Sequence, residues 1–375
     1  SATLNSAQRV RSDLVNSFEG AYFLSDKDAE GQPKLSPVGQ CHVDGVKLAR
    51  EKDAGVLYAP VAVMLDSECG WVPPRHLYTS KRNLVWGNLP YSRGDFATDA
   101  FFRWLWPHYE DCSYYQDERG FLTATPFGDM FDVIESDATA ECLQRYQTIV
   151  VISQRKVAPA LVELLAGFVK GGGELVCDAR LARDLPGELT GLQSAGARRE
   201  AQRSLLLPSG QVIAEEPYSY SVATSTGATA LAVSEHGDGL VWVNTLPNGG
   251  RVITCGADCF VAAETEDPQD GVDVPLKHKL LGAFTATLSS YWRSLQLVEV
   301  EGGPVQVTCN VGADAQRLVV GLFNHETKEV SVRVRARRGQ LASAESWVGE
   351  AQLNAGWLTA KLPAGGLAVV DLQLR

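Results

Sequence analysis

The chain has 375 residues, 45% hydrophobic and 21% charged, with a formal net charge of −11 and a pI near 5.1. That length suits two or three domains with a sizeable core, and the acidic balance excludes nucleic acid as the main partner, because phosphate binding needs a basic stripe. No run approaches the roughly 18 apolar residues of a membrane-spanning helix, so no membrane partner is expected.

The opening, SATLNSAQRVRSDL, has neither an initiator Met nor a charged segment leading into an apolar one, as in a mature chain or an excised fragment. An extracellular or periplasmic location is expected over a cytoplasmic one. Residues 1–55 read as a helical segment or linker. Ala7 to Phe18 has amphipathic spacing, and Ser36 with Pro37 opens a second helix bearing Val43, Val46 and Leu48. From about Val56 the pattern becomes α/β. Leu57 to Leu65 is a continuous apolar run of strand length, as in a buried parallel strand. A helix is predicted over Phe96 to Trp106, with Asp95 as its N-cap. A short strand over Asp132 to Ile134 and a helix over Ala138 to Arg145 follow.

Thr148 to Ser153 reads as a buried strand, Val157 to Val169 as an amphipathic helix, and Glu174 to Cys177 as the next strand. Strand, helix, glycine stop and strand make a βαβ unit. Gly171, Gly172 and Gly173 follow a helix and open a strand, so they are a helix stop rather than a phosphate loop. Short strands with hairpin turns occupy about Arg198 to Val261, and Leu276 to Trp292 is helical. From Leu295 to Arg375 short alternating segments predict an antiparallel β-sandwich. Arg333, Arg335, Arg337 and Arg338 fall in one of these segments and read as a solvated strand face.

The eight cysteines form no C-x-x-C pair, and Cys255 and Cys259 have no zinc partners nearby. The six histidines are scattered, with no H-E-x-x-H. Neither a metal nor a cofactor is expected. Cys177 lies on the α/β pattern but lacks the small flanking residues of a nucleophile elbow and a following H-x-E.

The stretch Trp71 to Phe131 stands apart, since 15 of the 31 aromatic residues lie within its 61 positions. Arg75, His76, Arg82, Asn88, Arg93 and Asp95 are interleaved with them. Flat apolar faces beside hydrogen-bonding groups suit the C–H face and hydroxyl rim of a sugar, while the plain alternative is a loop layer packing its own aromatics. Glycoside hydrolysis needs two facing carboxyls. Asp66 and Glu68 follow the first strand, at the carboxyl end where α/β sheets bind ligands, and Asp117 and Glu118 follow Tyr114 and Tyr115. Spacing does not choose a pair among these four.

In the order of its parts the chain resembles the C-terminal half of large glycoside hydrolases with a (β/α)8 catalytic barrel, such as family 42 β-galactosidases. GQPKLSPVGQ resembles the exit from the barrel, and YAPVAVMLD the first strand of a class I glutamine-amidotransferase-like domain. TIVVIS and KGGGELVCDA resemble its next βαβ unit, and GGRVITCGAD its late strand. The resemblance implies an amidotransferase-like (flavodoxin-like) α/β domain over 56–294, with the aromatic insertion 71–131, and a β-sandwich over 295–375. It also implies a homo-oligomer, with a trimer among its forms, or association with a catalytic barrel domain. The barrel is absent, so the family's catalytic carboxylates have no counterpart here. What carries over is a supporting role at a substrate cleft for an oligo- or polysaccharide, with Trp71, Arg75, His76, Trp86, Asn88 and Tyr91 as the substrate-binding candidates. A non-catalytic carbohydrate-binding or assembly module, and a self-sufficient hydrolase using Asp66, Glu68, Asp117 or Glu118, stand as alternatives.

Overall fold

A computed structural model describes residues 26–27, 29–34, 47–48, 50–66, 93–107, 124–153, 156–262, 279–324, 326, 328–364 and 366–375. The chain divides into two compact units, one drawn from Ala59–Phe102 and Phe131–Ser294, the other from Ser1–Tyr58, Arg103–Met130 and Leu295–Arg375.

The first unit is α/β, built on one mixed sheet. Its strands are β1 (Val61–Leu65), β2 (Phe131–Glu135), β3 (Thr148–Ile152), β4 (Glu174–Asp178), β5 (Leu192–Leu206), β6 (Gln211–Ser225), β7 (Thr229–Ser234), β8 (Gly239–Thr245) and β9 (Arg251–Cys255). They lie in the order β2-β1-β3-β4-β9-β8-β7-β5-β6. From β2 to β9 the neighbours are parallel, and from β9 outward they are antiparallel. The helices are α1 (Arg93–Leu105), α2 (Ala140–Leu143), α3 (Pro159–Lys170), α4 (Ala179–Asp184), α5 (Gly187–Thr190) and α6 (Gly282–Leu295).

The continuous apolar runs of β3 and β4 are buried along their whole length, as strands covered on both faces must be. On one face Ala62, Met64, Ile149, Val151, Leu175 and Cys177 meet Leu161, Leu165 and Val169 of α3, together with Leu143 and Leu181. On the other, Phe131 packs edge-on to Trp292 of α6 at 5.1 Å, and Phe101 of α1 packs edge-on to Phe284 at 6.0 Å. The sheet is therefore doubly covered. Pro159 opens α3, where its missing N–H costs no helical bond. Gly171 caps it, and Gly173 N donates to Phe168 O across the predicted glycine stop.

Several boundaries differ from expectation, for local reasons. The apolar run from Leu57 does not make one strand, because Pro60 interrupts it: β1 begins at Val61, and Val56–Leu57 pairs with Asn310 and Val311 in the other unit's sheet. The helix predicted from Ala138 begins at Ala140, with Thr139 as its N-cap accepting from Cys142 N. Asp95 falls inside α1 rather than before it. The charged stretch after Leu192 extends a 15-residue strand that its largely exposed, polar residues do not announce. At the sheet's far edge Glu215 of β6 accepts from Gly282 N and Ala283 N at 2.7 and 2.9 Å, a carboxylate at the positive end of α6.

The second unit holds two antiparallel sheets. Its strands are β10 (Val298–Gly302), β11 (Gln306–Val311), β12 (Arg317–Phe323), β13 (Val330–Ala336), β14 (Leu341–Val348), β15 (Ala351–Asn354), β16 (Trp357–Leu362) and β17 (Leu367–Leu374). One sheet runs β10-β13-β16-β15; the other runs β14-β17-β12-β11 and ends on Val56–Leu57. Val320, Leu322, Val334, Leu358, Val370 and Leu372 are buried between them. In β13 Val330, Val332 and Val334 point inward, while Arg333 and Arg335 face out, pair with Glu301 and Glu299 on β10, and lie over the Trp357 ring at 4.8 and 5.0 Å. That is the solvated strand face expected from the arginine run. Among the described residues no helix is long and apolar enough to cross a membrane, and no cluster of His, Cys, Asp or Glu could hold a metal ion.

Candidate functional site

In the α/β unit the strand order turns back between β1 and β3: β2 lies on one side of β1, while β3, β4 and β9 follow on the other. In doubly wound sheets this switch point opens a crevice at the carboxyl ends of the strands. Asp66 follows β1, Ser136 follows β2 and Ser153 follows β3, so three strand ends deliver polar groups to one place. Ser153 Oγ donates to Asp66 Oδ2 at 2.9 Å, and Ser136 Oγ to Asp66 Oδ1 at 3.3 Å.

Asp178 ends β4 and caps α4, its Oδ1 accepting from Arg180 N and Leu181 N at 3.1 and 3.0 Å. Arg180 Nε donates to Asp178 Oδ2 at 2.9 Å, and its Nη2 reaches both Ser153 O and Cys259 Sγ. Burial opposes the Arg180 charge, but Asp178, Cys259 and Asp258 outweigh it and hold the guanidinium above its ordinary value. Asp178 Oδ2 also accepts from Cys259 N at 2.8 Å, and Arg198 Nη1 pairs with Asp258 Oδ2 at 2.5 Å.

Cys259 and Phe260 have φ of +51 and +61, a left-handed conformation that costs a residue bearing a Cβ. It is imposed from both sides. The Asp178 carboxylate holds the Cys259 amide, and Phe260 is buried with its ring 5.3 Å from Phe101 and 5.0 Å from Phe284.

These groups do not compose a nucleophilic or acid–base centre by themselves. Each carboxylate is engaged by protein donors. The histidine among the described residues, His236, bonds Glu200 O elsewhere. Cys177 is fully buried inside β4, and burial holds its thiol above the ordinary range, so it stays protonated and unreactive. Cys142, Cys177, Cys255 and Cys309 are free thiols.

Asp66 stands where the sequence reading puts it, at the carboxyl end of β1. Glu68, Asp117, Glu118, Trp71, Arg75, His76, Trp86, Asn88 and Tyr91 lie outside the described residues. Ser153, Asp178, Arg180 and Cys259 were missed. For Ser153 and Asp178 a signal existed, since each is the polar residue closing a buried strand run. Cys259 carries none, because it reaches Arg180 from 79 positions away.

No protein-family profile and no curated protein matches the sequence. Solved structures do. Gan42B, a GH42 β-galactosidase from G. stearothermophilus, is similar with a TM-score of 0.50 and 15% identity, and its catalytic mutant with 0.51 and 14%; each match covers 90% of this chain and 43% of that one. The cold-adapted β-galactosidase from Rahnella sp. R3 is similar at 18% identity and a TM-score of 0.48, over 90% of this chain and 44% of that one. At such identities the likeness is one of fold, and this chain spans less than half the length of those enzymes.

Proposed function

We propose that this chain is the non-barrel portion of a carbohydrate-active glycoside hydrolase, contributing to its substrate cleft and to oligomerisation. The observation that carries the reading is the fold likeness to Gan42B over 90% of this chain and 43% of that one. The α/β unit is then the amidotransferase-like domain. Its parallel strands, doubly covered and ordered β2-β1-β3-β4, support that assignment. The sugar-facing surface is assigned to Trp71, Arg75, His76, Trp86, Asn88 and Tyr91, and the catalytic carboxylates to a barrel outside this sequence. An oligo- or polysaccharide is the substrate class. A stacked aromatic contributes on the order of 1 kcal/mol beyond its buried area, so Trp86→Ala weakens sugar binding in the assembled enzyme several-fold while the fold persists.

A second reading, a carbohydrate-binding or assembly module without catalysis, is favoured by the carboxyl-edge crevice, where protein donors engage both Asp66 and Asp178. Native mass spectrometry of the purified protein, with the intact mass of every chain, separates the two. A barrel bound in the same assembly supports the first. A lone 40.5 kDa chain overturns it and leaves the second.

A further inference from the structure

The β-sandwich unit has a cavity of its own. It lies where the turn after β13, the turn after β15 and Arg375, which follows β17, come together, and its volume is about 610 Å³. That falls within the range of small-ligand sites, roughly 300–1,000 Å³. Arg335, Arg337 and Arg375 line it, against Glu299 as the one acidic side chain. Counting the carboxylate of the final residue as well, the balance stays positive, in a chain whose net charge is −11.

The excess charge comes from a cross-strand ladder that stops one rung short. β10 and β13 pair antiparallel, with Glu301 opposite Arg333 and Glu299 opposite Arg335, and both rungs close as ion pairs. Arg335 commits its Nε and Nη2 to Glu299 Oε2, at 2.9 and 2.7 Å. One step further in the same register Arg337 N donates to Leu297 O at 2.9 Å, so the residue facing the third arginine is a leucine. Arg337 is left with the neutral Gln296, whose Oε1 lies 3.4 Å from its Nη2. Arg375 is left with Gln340 Oε1, 3.3 Å from its Nη2. Both arginines are exposed, and among the described residues neither meets a side-chain carboxylate. Their backbones are nevertheless fixed, since Gln340 and Arg375 exchange both main-chain hydrogen bonds, at 3.1 and 3.0 Å. The remaining wall is made of small residues, Ala336, Gly339, Ala355 and Gly356. Ala355 takes its place with φ of +49, in the two-residue turn after β15 where asparagine or glycine is usual.

We infer that this cavity binds the oxyanion of a small molecule, a carboxylate or a phosphate, which supplies the acceptor missing from the third rung. A guanidinium presents its N–H groups in a planar fork that such an oxyanion matches with two parallel, charge-assisted bonds. The contacts that Arg337 and Arg375 now make are single, long and to neutral amides, so an anion displaces little when it enters. The small walls leave room for a ring-sized body behind the anion. The inference goes beyond the function proposed above and makes no use of the fold likeness.

The test is titration calorimetry on the full chain, with benzoate, phenyl phosphate and benzyl alcohol as probes. The first two carry the two oxyanions on one ring, the third is their uncharged counterpart, and none is a sugar. At least one of the two anions binds in the millimolar range and weakens as salt rises, while benzyl alcohol does not bind. Benzoate alone would identify a carboxylate as the natural anion, and phenyl phosphate alone a phosphate. Arg337→Gln weakens the anion by roughly tenfold, the loss of a charge-assisted pair, and Arg375→Gln weakens it several-fold. Arg338→Gln makes the same charge change on the neighbouring exposed arginine, which does not line the cavity, and shifts binding by less than about twofold. Melting temperatures of the three variants match the parent, so a loss of binding is not a loss of fold. The inference is overturned if neither anion binds, if benzyl alcohol binds as tightly as they do, or if Arg338→Gln weakens binding as much as Arg337→Gln, which would mean a diffuse field rather than a site.

Discussion

The two edges of one parallel sheet are built differently. At the carboxyl edge, where doubly wound folds bind ligands, Asp66, Asp178 and Arg180 are knitted to serines, backbone amides and a thiol. Binding such a network to anything else means breaking bonds already made. At the amino edge, by contrast, the buried Glu174 faces Arg251 at 3.3 Å, Arg251 lies over the Tyr291 ring, and a Cβ at Gly167 would meet nothing within 4 Å. The position of a crevice in a fold says where a site can form. Which groups remain uncommitted says where a ligand can enter.

The sharpest way to break this comparison is Asp178→Ala. It removes the cap of α4, the anchor of Cys259 N and the partner of Arg180, leaving a largely buried guanidinium without its main counterion. Losing one partner of a buried pair costs about 3–5 kcal/mol, and urea denaturation should show a loss of that order. A cost below about 1 kcal/mol would mean that the carboxyl edge is no tighter than the amino edge.

Next is the pH dependence of Glu174. Burial pushes its carboxyl from 4.5 up to about 6, and Arg251 and the hydroxyls of Thr148 and Tyr291 offset only part of that. The folded chain holds this proton more tightly than the unfolded chain. The resulting stabilisation is fully present below about pH 4.5 and is lost as pH rises through about 6. A shift of this size corresponds to about 2 kcal/mol. Denaturation midpoints measured across that window should fall with pH in the parent, and the step should flatten in Glu174→Gln.

Ser153→Ala sharpens the comparison on a smaller scale. It removes one donor from Asp66 and should cost about 1 kcal/mol. A neutral result would indicate that Asp66 is already satisfied by its other partners. The smallest effect has the opposite sign. Gly167→Ala should stabilise the chain by about 0.5–1 kcal/mol in the same assay, because no packing opposes a methyl group there. A loss would mean that the helix surface at this point is covered.

How much of this was legible in the sequence depends on how far each feature reaches. TIVVIS and ELVC declare buried parallel strands because their apolar runs are unbroken, and the glycines after Lys170 declare the stop. The alternation of Val330, Val332 and Val334 declares a half-solvated strand. Asp66 was legible as a strand-end carboxylate for the same local reason. The run Leu57 to Leu65 misled because apolar character continues through Pro60 while the hydrogen-bond ladder does not. The part of the Leu192–Leu206 strand before Arg198 was missed because it is exposed on both faces, so no periodicity marks it. The row that Thr148, Glu174 and Arg251 form across β3, β4 and β9 could not be read at all. Each is an unremarkable strand opener until strand order and register bring the three together.

Val56–Leu57 completes the five-stranded sheet by pairing with Asn310 and Val311. That contact spans more than 250 positions of chain, and the whole first unit lies in the interval. Closing so long a loop is entropically slow and rewards the chain only when both ends exist. As the polypeptide emerges from the ribosome, the edge of this sheet therefore waits on residues made long after its first strand. Until then Val56 and Leu57 present an unpaired edge to any other strand that reaches them.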